Sequence, residues 1–116
     1  DATFLKVAGK DAEGVYATGP ADVSNNPIAI MYRDKFRAAE GAEPGSFFDN
    51  AVAAALALTQ AMIKAGTADA DALIKALRTQ KVATPFGDIT FDDRGEPVGI
   101  GFFIYQVQNG RFVLVQ

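Results

Sequence analysis

Residues 103–116 read FIYQVQNGRFVLVQ, two runs of alternating character on either side of Asn109-Gly110. Asn-Gly between such runs marks a two-residue hairpin loop, because both residues tolerate the positive φ of a type I′ turn. A strand over 100–108 and its partner over 111–116 therefore pair with Val107 opposite Phe112 and Tyr105 opposite Leu114. The alternate face sets Gln106 against Val113 and Ile104 against Val115. Both faces are mainly apolar, which predicts a ribbon covered on both sides, as in a three-layer α/β sheet.

Upstream, Asp92-Asp93-Arg94-Gly95 reads as a turn and Asp88–Phe91 as a short strand before it. Three helices come earlier still. The last runs from about Ala70 to Thr79, capped by Asp69, with Leu73, Ile74 and Leu77 inward. The longest runs from Phe47 to Ala65 and stops at Gly66. Ser46 and Asp49 form a capping-box pattern at its start, and it is apolar nearly all round until Thr59, so several of its sides expect cover. Its alanines at 51, 53, 54, 55 and 57 suit close approach by a neighbour. The first helix begins at an Asn26 cap with Pro27 behind it and closes at Gly41. Ile28, Met31, Tyr32, Phe36 and Ala39 mark its buried face, and Arg33, Asp34, Arg37 and Glu40 its solvent face. Gly14–Thr18 is a short strand ended by Gly19-Pro20, and Phe4–Ala8 is the last turn of a helix closed by Gly9.

The composition narrows the chemistry. In 116 residues, 49% are hydrophobic and 22% charged, which suits one modest core. A net charge of −3 leaves no basic footprint for nucleic acid. With no cysteine and no histidine, thiolate chemistry and the usual general base and zinc ligand are absent. The longest apolar run, Ala51–Leu58, is too short to cross a bilayer. Ser24 and Ser46 read as cap or turn residues, and Gly95, Gly99 and Gly101 form no phosphate loop because no helix follows them. Asp88, Asp92, Asp93 and Glu96 lack calcium-loop spacing and read as turn residues, although a carboxylate enzyme built on Asp88, Asp92 or Asp93 is the rival they allow. We expect no catalytic residue, no metal site and no cofactor. Phe47 and Phe48 stand apart from these. Adjacent helical residues diverge by about 100°, which suits one entering the core and the other staying near the helix mouth; burial of both for packing alone is the alternative.

Several stretches, in this order, resemble the C-terminal part of a type I periplasmic solute-binding protein of the leucine/isoleucine/valine-binding family. They are FLKVAGKDAEGVYAT (4–18), FRAAEGAEPGSFFDNAVAAALAL (36–58), LIKALRTQ (73–80), FGDITFDDRGEPVG (86–99) and FIYQVQNGRFVLVQ (103–116). The resemblance implies an α/β, partial type I periplasmic-binding-protein fold with three helices, a strand and a C-terminal hairpin. Residues 1–20 and 100–116 would match the second lobe and residues 21–99 the first. It also implies a periplasmic, non-catalytic component of an ABC transporter, closing by a hinge on a branched-chain type amino acid and working with a permease. A ligand-sensing domain of a receptor or regulator with the same fold is the alternative. From this segment the family contributes an aromatic near the start of the long helix, matching Phe47 or Phe48. Where its commoner pattern has tyrosine-aspartate before Ala-Val, this sequence has Asp49-Asn50. The chain reads as a fragment, and a fragment with such a ribbon is expected to self-associate.

Overall fold

Asn109 and Gly110 take φ of 53° and 72°, the mirror-image turn that the hairpin loop demands. The computed structural model describes residues 2–115. Around this turn β5 (Phe102–Gln108) and β6 (Arg111–Leu114) pair in the expected register, with Val107 opposite Phe112 and Tyr105 opposite Leu114. Val115 still donates its N–H to the Ile104 carbonyl at 2.8 Å. The chain divides into two compact units, one of Asp1–Ala21 with Gly101–Gln116 and the other of Asp22–Ile100.

In the first unit, α1 (Ala2–Ala8) gives way to a tighter 3-10 turn over Gly9–Ala12, and β1 (Tyr16–Pro20) pairs antiparallel with β5. The sheet order is β1-β5-β6. The strand expected to end before Gly19-Pro20 continues its pairing through Gly19↔Phe103 and Pro20↔Phe102. Proline is tolerated because β1 is an edge strand. The Tyr105 hydroxyl also donates to the Pro20 carbonyl at 2.6 Å. Glu13 clamps the hairpin tip, its carboxylate accepting from the N–H groups of Asn109 at 2.9 Å and Gly110 at 3.2 Å. One sheet face is covered around Val107, which is fully buried, with Ala12 buried and the Phe4 and Phe112 rings 6.4 Å apart, while Leu114 at the end of that face stays half exposed. The opposite face, with Tyr16, Thr18, Ile104, Val113 and Val115, stays open, Tyr16 being 65% exposed. The expected cover on both faces is thus found on one, because among the described residues of this unit only α1 and the 3-10 turn are helical.

In the second unit, α2 (Pro27–Glu40), α3 (Phe48–Ala65) and α4 (Ala70–Thr79) accompany β2 (Val82–Thr84), β3 (Gly87–Phe91) and β4 (Pro97–Val98). The strands form an antiparallel sheet in the order β2-β3-β4. Asn26 caps α2, accepting from Ile28 N–H at 2.8 Å, and Asp69 caps α4, accepting from Ala72 N–H at 3.0 Å. Gly41 and Gly66 end α2 and α3 in the left-handed region. The core gathers Ala57, Val82 and Ile89, with Leu56, Leu77, Phe91 and Ile100 packed against it. The buried residues of α3 are Asp49, Ala53, Ala57 and Ala61, a single stripe at four-residue spacing. Small side chains there let α3 approach α4 and β2 closely, and Gln80 donates its side-chain N–H to the Ala57 carbonyl at 3.1 Å.

Several expectations are corrected by this packing. Cover on several sides of α3 is not found among the described residues: Leu58, Met62 and Ile63 are exposed. Ile74 faces outward on α4, since the buried residue of that helix is Ala76, half a turn away. Met31 and Ala39 are exposed on α2, whose buried residue is Ala29. Strands β2 and β4 were not anticipated; at three and two residues they are too short to show alternation.

Candidate functional site

The first turn of α3 brings together the residues that the sequence singled out. The expected capping box is absent, because Phe47 rather than Ser46 occupies the cap position and no side chain caps the helix. Phe48 N–H instead bonds the Gly45 carbonyl at 3.1 Å, a tight turn delivering the chain into α3. The Asp49 carboxylate does not reach back, since the Arg33 guanidinium of α2 has taken it. Nε lies 3.2 Å from both carboxylate oxygens, and Nη2 closes the fork on Oδ2. The Asp49 side chain is only 10% exposed and that of Arg33 29%. A buried carboxylate needs such a partner, so the ion pair overrides the weaker capping bond.

The two phenylalanines part company as their spacing predicts. Phe48 turns its ring edge into Phe36 of α2, centroids 5.0 Å apart at 62°. Phe47 is 72% exposed. Three adjacent residues therefore do different work: Phe48 and Asp49 fasten the helix start to α2, and Phe47 is left to the surface. Asn50, next along, has its side-chain oxygen buried with no partner among the described residues.

Arg33, expected on the solvent face of α2, instead turns toward Asp49 with its side chain 29% exposed. Its true setting was traceable in principle: Arg33 and Phe36 are one helical turn apart, and Phe48-Asp49 offers a matching aromatic-carboxylate pair. A nearby second pairing is superficial. Arg37 forks onto Glu43 at 2.9 Å and reaches Asp34 at 2.9 Å. The Arg37 bonds hold the Glu43 carboxyl below its ordinary value. At the start of the unit, Asp22 accepts from Ser24 N–H at 2.9 Å, and its carboxyl is lowered chiefly by that backbone bond.

Two of the three carboxylates of the rival enzyme reading, Asp88 and Asp92, are engaged in surface pairing and a turn. Asp88 pairs with Lys81 Nζ at 2.8 Å on the surface. Asp92 folds onto its own turn, accepting from Glu96 N–H at 2.8 Å and Arg94 N–H at 2.9 Å. The Glu96 backbone bond, the largest cause, holds the Asp92 carboxyl below its ordinary value. Among the described residues no group of three metal-ligating side chains converges.

The architecture is a partial type I periplasmic-binding-protein fold. The chain belongs to the Periplasmic binding protein family, which it matches over residues 1–111. It is 31% identical over 100 residues to the Leucine-, isoleucine-, valine-, threonine-, and alanine-binding protein of Pseudomonas aeruginosa, covering 86% of this chain and 27% of that protein. It is 33% identical over 108 residues to the Leu/Ile/Val-binding protein homolog 1 of Brucella suis, covering 92% of this chain and 29% of the relative. In fold it is similar to a leucine binding protein of Thermotoga maritima, with a TM-score of 0.79 at 20% identity over 99% of this chain and 33% of that one. A Rhodopseudomonas palustris ABC transporter solute binding protein in complex with benzoate aligns with a TM-score of 0.71 at 22% identity, over 97% of this chain and 32% of that one. The chain thus spans less than a third of the length of the curated relatives it matches.

Proposed function

We propose that this chain is part of the extracytoplasmic solute-binding component of an ABC transporter, taking a branched-chain type amino acid or a small organic acid of similar size. The observation that carries this reading is the family match over residues 1–111, together with relatives named for leucine, isoleucine and valine. The reading assigns residues 1–20 and 100–116 to one lobe and 21–99 to the other. The division into units at Ala21/Asp22 and Ile100/Gly101 supports that assignment. Solute transfer to a membrane permease then works by hinge closure, a population shift driven by contacts that the solute makes only in the closed state. No catalytic residue and no cofactor enters this scheme.

Within this scheme Phe47 touches the solute and Phe48 serves the core. Position 47 is a helix cap, where serine, asparagine or aspartate would stabilise the helix and an exposed phenylalanine does nothing for it. An aromatic kept there against local preference supports a contact role, since functional sites are where such preferences are overridden. Calorimetric titration of the longer protein carrying this chain, with a panel of amino acids and organic acids including benzoate, tests the reading. Affinity confined to sugars or metal ions would overturn it.

A further inference from the structure

We propose that Arg33 is a positioning residue for Phe47, acting through Asp49; the inference rests on the reading of Phe47 as the solute-contacting side chain. The first turn of α3 has no side-chain cap, so its N-terminal N–H groups hold it in place weakly. What fixes it is α2. Arg33 and Phe36, one turn apart on α2, grip Asp49 and Phe48, neighbours on α3. The ring contact is apolar and permits sliding. The guanidinium fork does not, because two planar groups joined through both carboxylate oxygens accept little rotation. Phe47 is bonded directly to Phe48 and stands two residues from Asp49, so the backbone leading to its ring is set by the fork. Among the described residues Asp49 is the one buried charged side chain. That burial makes Arg33 its necessary partner and keeps the fork formed.

The absence of tryptophan from the chain permits a direct test. Within this chain the F47W indole becomes the sole tryptophan, and the fast component of its time-resolved fluorescence anisotropy reads the mobility of position 47 apart from overall tumbling. Adding R33Q or D49N to F47W should lower the anisotropy while circular dichroism retains the helical signal. The exchanged pair R33D/D49R should restore it, whereas K81Q, which breaks the surface pair with Asp88, should leave it unchanged. R33K, which keeps the charge and loses the fork, decides the matter if R33Q fails to fold; it too should lower the anisotropy.

In the longer protein, titration with L-leucine should show R33K and D49N weakening affinity by about three- to tenfold, with recovery in the exchanged pair. Unchanged anisotropy and unchanged affinity in R33K and D49N, beside an F47A variant that does bind less tightly, would overturn the positioning role. An F47A variant that binds L-leucine as well as the parent would instead overturn the reading of Phe47, and the anisotropy series would still decide whether Arg33 orders position 47.

Discussion

Alanine at position 48 and alanine at position 47 should have opposite consequences. Phe48 is half-buried, with its ring edge against Phe36 at 5.0 Å. Truncating a fully buried phenylalanine costs about 3–5 kcal/mol, so a half-buried one forfeits about half of that. Loss of the ring pair adds about 0.5–1.5 kcal/mol, which brings Phe48→Ala to about 2–4 kcal/mol. For a domain of this size, that should lower the melting temperature by about 10 °C or more. Phe47, 72% exposed, has little packing to lose. Its alanine variant should stay within about 0.5 kcal/mol of the parent. Thermal unfolding followed by circular dichroism gives the stability difference, and calorimetric titration of the longer protein gives binding. Phe47→Ala should weaken solute binding with the melting temperature nearly unmoved. Equal destabilisation by both changes, with binding intact in both, would refute the division of labour drawn from their exposure.

Acid sensitivity should trace in part to Asp92. Its folded-state pKa is depressed by the backbone N–H groups of its turn, so its contribution is present above the unfolded carboxylate range and is lost as pH falls through the folded value. Melting temperatures of the parent and Asp92→Asn should therefore differ at neutral pH and converge on acidification; a constant gap would contradict this. Gly99→Ala should destabilise by about 1–3 kcal/mol in denaturant titration, because φ is 99° and an added Cβ would lie 3.1 Å from the Asp88 carbonyl oxygen. Glu13→Gln should speed hydrogen exchange at Asn109 and Gly110, whose N–H groups the carboxylate holds; unchanged exchange would show the clamp to be idle. The 116 residues by themselves should self-associate through the open sheet face and the edges of β1 and β6. Leaving about 200 Å² of apolar surface in water costs about 5 kcal/mol, comparable to the stability of a small domain. Light scattering over a concentration series checks this, and a monomer at high concentration would refute it.

Local chemistry made much of the fold readable. Asn26 and Pro27, Asp69, Gly41 and Gly66 bound their helices because caps and left-handed stops act within a few residues of themselves. Asn109-Gly110 set the hairpin register for the same reason: a two-residue turn leaves only one way to pair the flanking strands. That one of Phe47 and Phe48 would turn inward also follows from helical pitch alone. Which one did not follow. That choice lies with Phe36, eleven or twelve residues away, and no periodicity within α3 refers to it. The same distance hid the partner of Asp49. A capping box and an ion pair compete for one carboxylate, and burial beside Arg33 favours the ion pair, a fact of packing invisible in the segment Ser46–Asp49. The extent of cover also belonged to tertiary structure. Apolar residues around α3 and on both ribbon faces state a capacity for burial, but which faces are filled depends on what packs there. Here one stripe of α3 and the Val107 region of one face of the β1-β5-β6 sheet are closed, because those are the surfaces that neighbouring elements reach.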